Sequence, residues 1–179
     1  MKIRQTSLLT VAALCAAAIA GCGHDRATAP PQNNSAVQAA IQAAYDRQSA
    51  AYVARDASAV MVECSPNYTE LNGQETDSRA QVTQTIEDFV ALAATLKATA
   101  AVESVDVDGQ LAHVIVNRHF DLLSFPMKKK TESTAHQHRF VSDETNRDTW
   151  TTTDGKRWLK LDSAVLASSS SIDGKPDDH

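Results

Sequence analysis

The stretch Val102–Phe125, VESVDVDGQLAHVIVNRHFDLLSF, decides the fold. From Val102 to Val107 apolar and polar residues alternate with the period of a strand. Asp108-Gly109 is a hairpin turn signal. Leu111 to Phe125 resumes the alternation, with Ala112, Val114, Val116 and Phe120 on one face and His113, Asn117, His119 and Asp121 on the other. A strand apolar on one side and polar on the other belongs to an antiparallel sheet with one face packed and one wet.

Working downstream, Pro126 to Lys130 breaks the pattern. Ser133–Ser142 and Arg147–Thr153 read as strands that a bulge can join, Asp154-Gly155 turns, and Lys156–Leu166 closes the sheet. Ser168 to Ser171 and the Asp-rich end read as a disordered tail, residues 168–179. Upstream the period changes to that of a helix. Asn34 or Ser35 can cap a helix carrying Val37, Ile41, Tyr45 and Tyr52 and running to about Arg55. Asp56 can cap a shorter helix with Val60 and Met61, stopped by Pro66. Asn67–Leu71 reads as a short strand placing Tyr68 and Glu70 on one face, followed by a turn at Asn72-Gly73. Asp77 or Ser78 then caps a third helix whose apolar stripe is Val82, Ile86, Phe89, Val90, Ala93 and Leu96. Helices at one end of the chain and strands at the other predict an α+β domain: a curved, mostly antiparallel sheet packed against three N-terminal helices.

The first 22 residues carry a different message. Lys2 and Arg4 precede an apolar run, Leu8–Ala20, that ends in Ile19-Ala20-Gly21-Cys22. The run is shorter than the ~20 residues that span a bilayer, and small residues before the cysteine suit a signal peptidase. The segment resembles the lipobox of bacterial lipoproteins, in which the cysteine receives the lipid. That implies a signal peptide over 1–21, lipidation of Cys22, a Pro-containing tether over 22–34 and a domain over 35–167. Gly23, rather than Asp, after the cysteine favours the outer membrane. The expected address is the cell envelope, lipid-anchored and facing the periplasm.

Cleavage before Cys22 removes 21 of 179 residues and leaves 158, enough for one domain. The leader holds two of the 17 basic side chains and none of the 22 acidic ones, so the remainder has 15 against 22, a formal charge of −7. Such an acidic chain is a poor nucleic-acid binder. Lys128-Lys129-Lys130 is its one basic cluster and falls short of a polybasic lipid-binding segment. Cys15 leaves with the leader and Cys22 takes the lipid, so Cys64 has no disulfide partner and reads as a small buried residue.

Three patterns give the domain a family likeness: Tyr45 to Asp56 with Val60-Met61 and Ser65-Pro66-Asn67-Tyr68; Ser78-Arg79-Ala80-Gln81; and Arg147-Asp148-Thr149-Trp150, Asp154-Gly155, Trp158-Leu159-Lys160-Leu161. In these the chain resembles the nuclear-transport-factor-2-like superfamily, SnoaL-like branch, over Ser35–Ala167. The resemblance implies a cone-shaped curved sheet around helices, a pocket between them, and dimerisation through the outer sheet face. The patterns are caps, turns and core aromatics, and none is a catalytic motif.

Candidate chemistry is sparse. His136 and His138 lie two apart on an expected strand, and His113 and His119 share a face; with Asp121 or Glu132 they would suggest zinc, but a half-wet outer sheet face explains them better. Related folds with isomerase, dehydratase or cyclase activity use a carboxylate or His in an apolar pocket with a Tyr donor. Tyr45, Tyr68, Glu70, His138 and Asp148 are the residues here of those types. If Asp154-Gly155 sits in a three-residue loop, Trp150 and Trp158 face the same way; a two-residue loop sets them on opposite faces. The candidate pocket is Tyr45, Tyr68, Phe89, His138, Trp150 and Trp158. Glycine-rich phosphate loops, a serine nucleophile elbow and nucleotide signatures are absent, so no cofactor is expected. The leading expectation is an envelope lipoprotein that binds a small apolar molecule without turnover. The alternatives are a cofactor-independent isomerase, dehydratase or cyclase, and a dimeric envelope adaptor.

Overall fold

In the first helix, α1 (Asn34–Ala54), Val37, Ile41, Ala44, Tyr45, Gln48, Ala51 and Tyr52 are buried, a single stripe at helical spacing. The computed structural model describes residues 34–127 and 134–176. The signal peptide, Cys22, the tether before Asn34, Lys128–Lys130 and Glu132 lie outside the described residues. Among the described residues no helix is long and apolar enough to cross a membrane. Asp56 caps α2 (Ala57–Val60), its side chain accepting from the Ala59 N–H, and a single 3-10 turn, Met61–Glu63, leads into β1 (Cys64–Asn72). After β2 (Glu75–Ser78), Ser78 and Gln81 form a reciprocal capping box that starts α3 (Arg79–Leu92).

The remaining strands are β3 (Ala93–Asp108), β4 (Leu111–Ser124), β5 (Arg139–Thr151), β6 (Leu159–Ile172) and β7 (Lys175–Pro176). The sheet runs β2-β1-β6-β5-β4-β3, with β7 also on β6. The β1–β6 pair is parallel and the other pairs are antiparallel. The α+β architecture expected from the sequence is therefore present. Gly109 opens the two-residue β3–β4 loop at φ +60°, a conformation that favours glycine.

Several local expectations are corrected. Ala93 and Leu96 lie in β3, not in α3. The long hairpin decides this: Ala93–Ala101 pairs with Asn117–Ser124, which a longer helix would leave without partners. Pro66 lies inside β1 and does not stop a helix. It occupies the stretch between Cys64 and Thr69 where the register with β6 shifts, so its missing N–H is tolerated. His136 forms one isolated bridge with Met127, and the strand begins only at Arg139. Ser168–Ile172 is not a disordered tail: it pairs residue by residue with Glu144–Phe140, and Asp173-Gly174 turns the chain into β7. The serines have no apolar side chain to bury, but their backbone completes the β5 ladder. The loop between β5 and β6 is longer than either turn considered, and Trp150 and Trp158 both enter the core.

The core has two parts. One joins the start of α1 (Val37, Ile41, Tyr45) to Ala112, Val114, Val116, Trp150 and Trp158. The other joins the end of α1 (Ala51, Tyr52) to α2, β1, α3 and the far halves of β3 and β4. The candidate site lies in the second part and borders the first.

Candidate functional site

The register of β4 against β5 is unbroken, so side chains on the concave face follow by alternation. On β4 they are Ala112, Val114, Val116, then Arg118 and Phe120. Opposite them on β5 stand Trp150, Asp148, Asn146, Glu144 and Ser142. The inner face is thus apolar on one strand except at Arg118, and largely polar on the next. Buried polar groups need partners, and the two ends of the polar row meet that need differently.

At one end Asp148 is fully buried. Lys160, its side chain 3 % exposed, places Nζ 2.8 Å from Asp148 Oδ2. Ser163 Oγ donates to Oδ1 at 2.6 Å, and Tyr45 Oη donates to Oδ2. Trp150 Nε1 donates to Tyr45 Oη at 3.2 Å, and the Lys160 ammonium lies 4.7 Å from the Tyr45 ring centroid. Burial alone would push the Asp148 carboxyl up; Lys160 and the Ser163 and Tyr45 hydroxyls outweigh it and hold the group below the usual carboxylate range. Burial, then the Asp148 charge, pushes the Tyr45 phenol well above its ordinary value.

At the other end the row opens into a cavity of about 310 Å³, at the lower end of ligand-pocket sizes. Its apolar wall comes from Val82, Ile86 and Phe89 of α3, Met61, and Tyr52 and Phe120. Tyr52, Phe89 and Phe120 form a triangle of edge-to-face pairs at 5.1 to 6.4 Å. Its polar wall carries Gln48, Tyr68, Glu70, Arg118, Glu144 and Lys160. Tyr68 Oη donates to Glu70 Oε2 at 2.8 Å, and burial followed by the Glu70 charge pushes the Tyr68 phenol up. Arg118 lies across from Glu144 at 3.9 Å and donates to Tyr52 Oη at 3.3 Å. Cys64 also lines the cavity; burial raises its thiol, so it is a poor nucleophile.

Of the sequence candidates, Tyr68 and Phe89 line this cavity, as does Glu70. Tyr45, Trp150 and Trp158 sit in the core behind it, and Asp148 reaches it only through Lys160. His138 lies elsewhere, bonded through Nδ1 to Asp173 at 2.8 Å. His119 pairs with Asp143 on the outer face, and among the described residues no three His, Cys, Asp or Glu side chains gather to hold a metal. Sequence reasoning missed Arg118, Glu144 and Lys160. The alternation that placed Val116 and Phe120 inward also places Arg118 inward, and it was readable from residue 112 onward.

The chain matches no protein-family model and no curated protein sequence. Solved structures do resemble it. A putative scytalone dehydratase from Novosphingobium aromaticivorans superposes with a TM-score of 0.61 at 11% identity, over 75% of this chain and 87% of that one. A putative dehydratase of the NTF2-like family from Streptomyces avermitilis gives 0.55 at 14% identity, over 75% and 100%. An NTF2-like superfamily protein from Salmonella enterica gives 0.54 at 12% identity, over 75% and 93%. The domain therefore has the nuclear-transport-factor-2-like cone fold. At these identities the likeness is one of fold.

Proposed function

We propose that this protein is an envelope lipoprotein, anchored through Cys22, whose domain binds a small, largely apolar molecule in the cavity beneath α3. The observation that carries the binding reading is the cavity's division: an aromatic and aliphatic wall faces a wall of hydrogen-bonding side chains, the arrangement of a ligand pocket. Neither tryptophan closes it. Ile86→Trp should fill the cavity and abolish small-molecule retention, read by native mass spectrometry after incubation with a library of apolar compounds. Equal retention by the filled variant overturns the reading. Anchoring is tested separately: Cys22→Ser should release the protein from membranes, and unchanged membrane fractionation with no change in lipid labelling sinks it.

The Tyr68–Glu70 pair favours one second reading, a cofactor-independent dehydratase or isomerase. A carboxylate that accepts from a buried phenol at the edge of an apolar cavity is a candidate base, with the phenol as donor. Two of the similar structures bear the name putative dehydratase. In this reading Glu70→Gln abolishes turnover and leaves binding intact; a Glu70→Gln protein that turns over substrate normally removes it.

A further inference from the structure

The arginines of this domain are not bonded alike. Arg79 donates to the carbonyls of Met61, Cys64 and Ser65 at 2.9 to 3.0 Å. Arg139 grips Asp121 with two bonds of 2.8 and 2.9 Å, and Arg47 reaches Glu63 at 2.7 Å. Arg118 has little water to compensate it, its side chain being 14 % exposed against 62 % for Arg139 and 60 % for Arg47. Yet its polar partners among the described residues are Tyr52 Oη at 3.3 Å and Glu144 at 3.9 Å. Charge-assisted bonds of guanidinium normally close to about 2.7–2.9 Å. The guanidinium carbon lies over two aromatic rings instead, 5.1 Å from the Phe120 centroid and 5.8 Å from that of Tyr52. A nearly buried cation with unspent N–H donors on a cavity wall is a recognition group without its acceptor.

The charges around it select the acceptor. A cationic ligand would meet Arg118 and Lys160. An anionic ligand would meet Glu70, Asp77 and Glu144, which line the same cavity, and Lys160 is already committed to Asp148. An uncharged acceptor oxygen opposes neither set. We propose that Arg118 is the ligand-recognising residue of the cavity and that its ligand is an uncharged, mostly apolar molecule carrying an acceptor oxygen. The inference rests on the cavity being a binding site, and it adds which residue sets the choice and what charge the ligand carries.

Acetophenone, ethylbenzene and benzoate share one apolar body and differ in the group that tests this. With the full-length protein, acetophenone should shift the Arg118 Nε–Hε cross-peak in an NMR titration and bind about tenfold more tightly than the other two, the size of one hydrogen bond. Arg118→Met, which has no donor, should remove the preference over ethylbenzene while ethylbenzene still binds; the wild-type cross-peak decides the matter if that variant does not fold. Ethylbenzene binding as tightly as acetophenone, or Ile86 methyl shifts with a silent Arg118, overturns the role of Arg118 alone. Tighter binding of benzoate overturns the uncharged ligand. No shift at Ile86 with any probe overturns the binding reading and this inference together.

Discussion

Asp148 and Glu144 face inward from the same strand, and their surroundings are opposites. Asp148 is wholly buried and holds a lysine at 2.8 Å, a serine at 2.6 Å and a tyrosine. Glu144 is 25 % exposed, and its arginine stands 3.9 Å away. The difference teaches how to divide polar residues inside a cone. Where both oxygens of a buried carboxylate are matched at short range, the cluster holds the fold. Where the pairing is loose and a cavity adjoins it, the groups remain available to a guest. The largest test removes each carboxylate. Asp148→Asn leaves Lys160 buried without a counter-charge and should cost about 3–5 kcal/mol in chemical denaturation. Glu144→Gln should cost under ~1 kcal/mol, the worth of a loose, partly wet pair. Similar losses at both positions would break the comparison. Replacing Asp148 and Lys160 together by apolar residues of similar volume should recover most of the loss, because no charge is then left unpaired.

Acid should single out the sealed cluster next. The Asp148 carboxyl titrates below its usual value in the folded protein. A group of this sign adds stability that is complete above its unfolded pKa, near 3.9, and that is lost as pH falls through the lower folded value. Denaturation midpoints should therefore drop steeply below about pH 4, and Asp148→Asn should flatten that limb. An acid limb of equal slope in the variant would place the proton uptake elsewhere. At the alkaline end the sign reverses. The Tyr45 and Tyr68 phenols are both raised above 10.0, so the unfolded chain releases their protons first and stability falls as pH rises past that value. Absorbance at about 295 nm, a phenolate band, should show Tyr45 and Tyr68 ionising only as the protein unfolds.

Much of this division was open to reading in the chain, and the misses have physical causes. The α1 stripe, the Asp56 and Ser78 caps and the apolar face of β4 follow from spacing and chemistry local to each element. Ala93–Ala101 and Ser168–Ile172 were misread because neither is a strand by its own composition; each is one because β4 or β5 supplies the ladder. Asp173-Gly174 carries the same turn signal as Asp108-Gly109, but four serines before it read as low complexity. The cavity was the least legible part. Trp150 and Trp158 drew attention by size, and size predicts core. Arg118 and Glu144 form the site through cross-strand register, a relation between residues 26 apart that no local window contains.

The finest test compares the two tyrosine–carboxylate bonds. Tyr45 donates to Asp148 and also accepts from Trp150 Nε1 at 3.2 Å. Removing its hydroxyl leaves a buried indole N–H with no acceptor and takes one donor from a buried carboxylate. Tyr45→Phe should thus cost about 2 kcal/mol, the price of orphaned buried groups. Tyr68 donates to Glu70 at 2.8 Å, but Glu70 is half-buried at the cavity wall, where water can replace the lost donor. Tyr68→Phe should cost about 0.5 kcal/mol, the low end for a replaceable hydrogen bond. Its effect belongs on ligand affinity or turnover instead, since the phenol and carboxylate border the cavity. If Tyr68→Phe proved as damaging to stability as Tyr45→Phe and silent on binding, Tyr68 and Glu70 would belong with the sealed cluster. The open site would then shrink to Arg118, Glu144 and the aromatic wall.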